Sequence, residues 1–109
     1  MADAYKTGLE HLRAGRFFAA HEELEVAWRA APESERDFYQ GLVHVAVAWY
    51  QAGRGNRVGT TRQLEKALRR LERYEPQHEG VQVTDVRRQL RNAQAVVLTG
   101  SLDLPPPSL

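Results

Sequence analysis

The stretch FYQGLVHVAVAWY, residues 38–50, decides the fold, because its apolar residues lie on nearly every side when it is wound into a helix. Such a helix belongs at the centre of a bundle, where neighbouring helices cover several of its sides. Ser34 can cap its beginning, and the glycines in AGRGN, residues 52–56, end it. The stretch therefore predicts a central helix over residues 34–52 of an all-α protein.

Apolar periodicity and helix-breaking residues predict four further helices, which with the central helix make a compact bundle of about five: 3–14, 17–31, 60–74 and 84–99. Asp3 and Thr84 can cap the first and the last of these, and Thr60 with Gln63 has the spacing of a capping box. The first two helices have small residues and a closing proline at positions typical of one tetratricopeptide repeat. Only one copy of that pattern is present, which excludes a solenoid.

The chain has 109 residues, enough for one domain, which we place at residues 1–100. The remaining SLDLPPPSL, residues 101–109, is expected to be a flexible proline-rich tail, called the C-terminal tail below. The sequence contains no cysteine, which excludes disulfides and cysteine-ligated metal centres. It shows neither a signal peptide nor an apolar run long enough to span a membrane, so a cytoplasmic location is expected.

The net charge is only +1, but residues 54–91 are more basic than the rest of the chain. Such an imbalance can mark a nucleic-acid surface. Thirteen of the fifteen basic residues are arginine, however, which is equally typical of solvated helix faces in a protein from a GC-rich genome. Nucleic-acid binding is therefore disfavoured.

The second predicted helix contains AAHEELEVAW, residues 19–28, in which His21 lies in the middle of the apolar stripe and Glu25 follows one turn later. On the central helix, Gln40 and His44 share one stripe. A short loop makes these helices antiparallel neighbours, whose facing residue numbers are expected to add up to about 61 to 65. The spacing therefore predicts a buried polar cluster of these four side chains, with Trp28 beside it.

The predicted cluster has two interpretations. In the first, His21 bonds to Glu25 or Gln40 and fixes the register of the two helices. In the second, His21, Glu25 and His44 bind a divalent metal and leave one coordination position open for water. In the following loop, Asn56 either reaches toward a ligand or adopts a left-handed turn conformation.

The segment GRFFAAHEELEVAWR followed by ERDFYQGLVHVAVAWYQAGRGN resembles a small bacterial family, domain of unknown function 309. The resemblance covers residues 8 to 71 and implies a compact all-helical fold without implying an activity. The matching positions are His21, Glu22, Glu25, Trp28, Gln40, Gly41, Gly55 and Asn56. His44 stands where the family pattern has glutamine, which counts against it as a metal ligand.

From these observations we expect a non-catalytic ligand-binding or protein-interaction module built on the second and third helices, with an unknown protein or a second copy of the chain as partner. The alternative is a metal-dependent, hydrolase-like enzyme that uses His21 and Glu25. The candidate site contains His21, Glu22, Glu25, Trp28, Gln40, His44 and Asn56.

Overall fold

The computed structural model describes residues 3–109, and this part of the chain contains five α-helices and no β-strand. The helices are α1 (Ala4–Arg13), α2 (Phe17–Ala30), α3 (Glu33–Gly53), α4 (Arg57–Leu71) and α5 (Val83–Leu98), with a short 3-10 turn at Glu72–Tyr74. The prediction of an all-α fold is confirmed, and each predicted helix is present. No helix among the described residues is long and apolar enough to cross a membrane.

Helix α3 is the centre of the bundle. It packs against α2 on one side and α4 on the other, while α1 covers α2 and α5 covers α4. Phe38, Leu42 and Val45 are fully buried, and the buried residues of α3 are not confined to one stripe. Residues 38–50 are apolar on nearly every side because neighbouring helices cover α3 on more than one side, as the sequence predicts.

Two glycines allow the helices to approach closely. A Cβ atom added to Gly41 would lie 2.7 Å from Cγ of Leu71, where α3 crosses α4. A Cβ atom added to Gly8 would lie 2.7 Å from Cγ of Leu24, where α1 crosses α2. Both contacts are shorter than carbon atoms tolerate, so these interhelical distances require glycine.

The predicted cap of α4 is wrong. The helix begins at Arg57, and Oδ1 of Asn56 accepts a hydrogen bond of 2.9 Å from the backbone N–H of Gly59. Thr60 lies buried in the first turn, where its hydroxyl donates to the carbonyl oxygen of Asn56 at 2.8 Å. Asparagine is as good a cap as threonine, and using it moves the start of the helix three residues earlier.

The other cap predictions have mixed outcomes. Oδ1 of Asp3 accepts from the backbone N–H of Tyr5 at 3.1 Å, which confirms the cap of α1. Helix α3 begins after Pro32 without a side-chain cap, and Thr84 lies inside α5 with its hydroxyl donating to Glu75 at 2.8 Å. The likeness of the α1–α2 hairpin to a tetratricopeptide repeat stays a prediction.

The C-terminal tail lies against the bundle, although the sequence favours a loose segment. Nε1 of Trp49 donates to the carbonyl oxygen of Pro105 at 2.9 Å. The amide of Gln89 donates to the carbonyl of Ser108 and accepts from its N–H, both at 2.7 Å. Pro107 is buried. Proline prevents helix formation here, but its carbonyl and ring remain available for contacts with side chains of the bundle.

Candidate functional site

Near the beginning of α2, the contacts with α3 are shifted from the register that the sequence predicts, whereas the contact of Trp28 with Arg36, whose numbers add up to 64, agrees with it. The rings of Phe18 and Tyr50 are 5.3 Å apart, and His21 shares a pocket with Val47. The residue numbers of the Phe18–Tyr50 and His21–Val47 pairs each add up to 68. Helical side chains lean toward the N-terminus of their own helix by about one position, which accounts for about two units of the difference from the predicted sum. In an antiparallel pair of helices, the contacting side chains therefore come from residues with higher numbers than those whose backbones lie directly opposite each other.

His21 and Glu25 form the predicted pair. Nε2 of His21 lies 2.9 Å from Oε1 of Glu25, one helical turn away, and the two side chains are 24% and 30% exposed. Nδ1 of His21 lies 3.3 Å from the carbonyl oxygen of Phe18, and Arg29 contacts the second carboxylate oxygen of Glu25 at 3.4 Å. The pair is held within α2, and both side chains reach solvent.

His44 does not join this pair. Its Nδ1 lies 2.6 Å from Oε1 of Gln63 in α4. Its Nε2 is buried without a hydrogen-bond partner among residues 3–109. Burial lowers the pKa of His44, although the bond to Gln63 opposes this effect. The His44 ring therefore contacts α4 through this bond and lies outside the His21–Glu25 pair.

The proposed metal triad therefore lacks the expected geometry. Among the described residues, His21 and Glu25 belong to no group of three potential ligands whose atoms lie within 4.8 Å of one another. Three protein ligands are the usual minimum for a catalytic zinc site. The predicted convergence of His44 with His21 and Glu25 is not observed.

An aromatic pocket opens beside His21. It has a volume of about 180 Å³ and is lined by Phe18, His21, Val47, Tyr50 and Gln51. The ring of Phe18 lies 5.3 Å from those of His21 and Tyr50, yet Phe18 remains 49% exposed. The pocket thus presents aromatic surface that no other part of the described chain covers.

A second pocket, the arginine pocket, lies where α2 meets the beginning of α3. It has a volume of about 660 Å³ and is lined by Trp28, Glu33, Ser34, Arg36, Asp37, Gln40 and Arg73. Trp28 and Gln40 thus share a pocket, but one that His21 does not line. The guanidinium carbon of Arg36 lies 5.5 Å from the centre of the Trp28 ring.

The charges of the arginine pocket are incompletely paired. Asp37 makes ion pairs with Arg70 at 2.8 Å and with Arg73 at 3.3 Å. Within residues 3–109, no carboxylate oxygen lies within 4 Å of the Arg36 guanidinium. A cation stacked on an aromatic face is therefore available to an acidic ligand.

Asn56 supports the aromatic pocket indirectly. Its Nδ2 donates to Oε1 of Gln51 at 3.1 Å, and Gln51 lines the pocket. The predicted left-handed conformation of Asn56 is wrong, since its φ is −89°, whereas the φ of Gly55 is +75°. Glycine takes the strained turn position because it has no Cβ. Glu22 is exposed and makes no ion pair in the described part of the chain.

Sequence reasoning missed Phe18, Arg36, Asp37 and Arg73 as site residues. Charged residues at helical spacing indicate only a solvated face, and no pattern tells which other helix that face meets. The cation–π contact of Arg36 with Trp28 could have been found, because the short turn between α2 and α3 brings both side chains to the same end of the hairpin.

The structure defines a small helical protein with two neighbouring pockets along one side of α2 and α3. The model of the family described as Domain of unknown function (DUF309) matches residues 5–63, which is more than half of the chain. The chain therefore belongs to this family, and the matched region contains the whole α2–α3 hairpin. No curated protein and no solved structure matches the chain.

Proposed function

We propose that the protein is a non-catalytic interaction module that binds a helix of a partner protein along α2 and α3. The surface concerned, called the α2–α3 groove, consists of the aromatic pocket, the arginine pocket and the exposed side of α2 between them. The observation that carries the proposal is Phe18, an aromatic side chain that is 49% exposed at the rim of an apolar pocket. A cytoplasmic setting is part of the proposal.

The spacing of the two pockets favours a helical partner. His21 lines one pocket and Trp28 the other, and seven residues of an α-helix span about 10 Å. A partner helix lying along α2 would place side chains seven residues apart over the two pockets. Anchors with this spacing are typical of helices that bind in grooves.

The chemistry of each pocket selects a different anchor. The aromatic pocket, formed by Phe18, Val47 and Tyr50, suits an apolar side chain. The arginine pocket suits a carboxylate, which Arg36 can bind with two parallel hydrogen bonds. We therefore propose a partner helix that carries an apolar residue and an acidic residue two turns apart.

Metal-dependent hydrolysis by His21 and Glu25 is the second candidate. The separation of 2.9 Å between the two side chains and their position beside a pocket favour it. A metal held there would have two protein ligands, because His44 bonds to Gln63 instead. The binding role needs no further ligand and is preferred.

Site-specific photocross-linking in living cells tests the binding role. A benzophenone amino acid replaces Gln51 in the groove, and a matched control carries it at Leu98, which is 83% exposed in α5. We expect a discrete adduct from position 51 alone, in which the cross-linked segment of the partner is a helix with the stated apolar and acidic residues.

Groove variants complete the test. Phe18→Ser and Arg36→Glu change exposed side chains, so the fold should survive, and each should reduce the yield of the adduct at least tenfold. The binding proposal is overturned if position 51 gives the same products as position 98, or if the two variants leave the yield unchanged. An adduct made only with a second copy of this chain would overturn the assignment of a different partner.

A further inference from the structure

A second group of chemically active side chains lies outside the groove. Glu35 is in the first turns of α3, and His78 and Glu79 are in the loop between α4 and α5. One potential ligand atom from each of these three residues lies within 4.8 Å of the other two. Nε2 of His78 lies 2.5 Å from Oε1 of Glu35. We call these three residues the Glu–His–Glu cluster.

The histidine of the cluster is held through both its ring and its backbone. The ring of His78 lies 4.7 Å from that of Phe38 and 4.8 Å from that of Tyr74. Its backbone exchanges two hydrogen bonds with Val81, of 3.0 and 2.9 Å, which close the loop. The imidazole is therefore positioned before any ligand arrives, and this lowers the entropic cost of binding.

Glu79 is held by its backbone while its side chain stays exposed. Its φ is +48°, and its carbonyl oxygen accepts a hydrogen bond of 2.5 Å from the Tyr5 hydroxyl. The main chain is thereby fixed to α1, whereas the carboxylate is free to rotate toward His78. The cluster thus combines two partly buried side chains with one adjustable carboxylate.

Apart from His78 itself, no basic side chain of the described residues pairs with the two carboxylates of the cluster. Within residues 3–109, no lysine or arginine nitrogen lies within 4 Å of the carboxylate of Glu35 or Glu79. The pKa of the neighbouring Tyr39 is raised, first by burial and then by the carboxylates of Glu79, Glu35 and Asp3. The local potential therefore favours a cation.

We propose that the Glu–His–Glu cluster binds one divalent transition-metal ion of the zinc class. An imidazole nitrogen with two carboxylate oxygens suits such ions, whereas calcium and magnesium prefer oxygen ligands alone. Zinc bonds of about 2.1 Å in a tetrahedral site put ligand atoms roughly 3.4 Å apart. The cluster reaches this geometry by a small opening of the His78–Glu35 contact and a rotation of Glu79.

The bound ion would connect the beginning of α3 to the α4–α5 loop and would keep a fourth coordination position for water. This site shares no residue with the α2–α3 groove, so a failure of the proposed binding function would not affect the metal proposal. It is also distinct from the His21–Glu25 pair, which provides the matched control.

Zinc titration of the full chain, purified without a histidine tag and treated with a chelator, tests the site. Isothermal titration calorimetry with zinc chloride at neutral pH should show one ion per chain, and zinc should raise the melting temperature. Cobalt(II) should give the strong visible absorption of a four-coordinate site. Glu79→Gln, His78→Gln and Glu35→Gln should each weaken zinc binding at least about tenfold, while His21→Ala should bind as the wild type does.

Circular dichroism must show that each variant is folded. Glu79→Gln keeps the test decisive even if the other two unfold, because its side chain is exposed. The proposal is refuted if the wild-type chain binds no zinc, or if Glu79→Gln binds it as tightly as the wild type. Loss of binding in His21→Ala alone would also refute it, since the ion would then belong to α2.

Discussion

The substitution Gly41→Ala tests the packing of α3 against α4. The added Cβ would lie 2.7 Å from both Cγ and Cδ2 of Leu71, which is fully buried and closely surrounded. Overpacking of this kind costs about 1–3 kcal/mol. Alanine is a better helix former than glycine by about 1 kcal/mol, which offsets part of the cost. Because Cγ is not the flexible end of the Leu71 side chain, we expect the cost to lie in the upper part of that range, at about 2–3 kcal/mol. Subtracting the gain from alanine leaves a net destabilisation of about 1–2 kcal/mol.

Urea and thermal unfolding followed by circular dichroism measure this change. For a domain of this size, a loss of 1 kcal/mol lowers the melting temperature by about 4 °C or more. Gly53→Ala is the matched control, because a Cβ at this position in α3 meets no atom within 4 Å. It should be neutral or slightly stabilising.

A double-mutant cycle with Leu71→Ala identifies the cause. Leu71→Ala removes the atoms that clash, so Gly41→Ala should be much less harmful in that background. If Gly41→Ala is as stable as the wild type, or if its effect is the same with and without Leu71, the close contact between α3 and α4 is not what requires glycine.

Two further predictions concern buried polar side chains. Because burial holds the pKa of His44 below its ordinary value of 6.5, the unfolded chain binds more protons than the folded chain below that pH, so stability should fall as the solution is acidified. His44→Gln should reduce this loss in unfolding experiments across the pH range, and an unchanged slope would contradict the assignment. Arg87 is 8% exposed, donates to the carbonyl of Leu68 at 3.1 Å and pairs with Glu75, so Arg87→Ala should cost about 1–3 kcal/mol of stability in urea unfolding. Hydrogen bonds from Thr84 and Arg87 hold the pKa of Glu75 low, so this pKa should rise in an NMR titration of Arg87→Ala. Arg88→Ala, at an exposed neighbouring position, is the control and should change neither the stability nor the pKa of Glu75.

Features set by neighbours along the chain could be predicted from the sequence. The five helices follow from periodicity and breaking residues, and the contact of His21 with Glu25 follows from their spacing of one turn. Both depend on interactions within about four residues. Trp28 and Gln40, which line the arginine pocket, also followed from the helical stripes, whereas the family resemblance added Glu22, Gly41 and Gly55.

Features that depend on tertiary packing could not be predicted. His44 lies on the same stripe as Gln40, but whether its ring turns to α2 or α4 depends on where α4 packs. Glu35 and His78 are separated by 43 residues, and no local pattern links them. The C-terminal tail has the composition of a loose segment, and its contact with the bundle depends on where the fold places Trp49 and Gln89.

The two tryptophans give each half of the molecule an optical reporter of its own. Trp28 lies in the arginine pocket with the guanidinium of Arg36 over its ring, so its fluorescence should respond when the groove is occupied. Trp49 is 6% exposed and bonded to Pro105, so a red shift of its emission would signal release of the tail. Versions that keep one indole each would follow the two events separately in solution, without any attached dye.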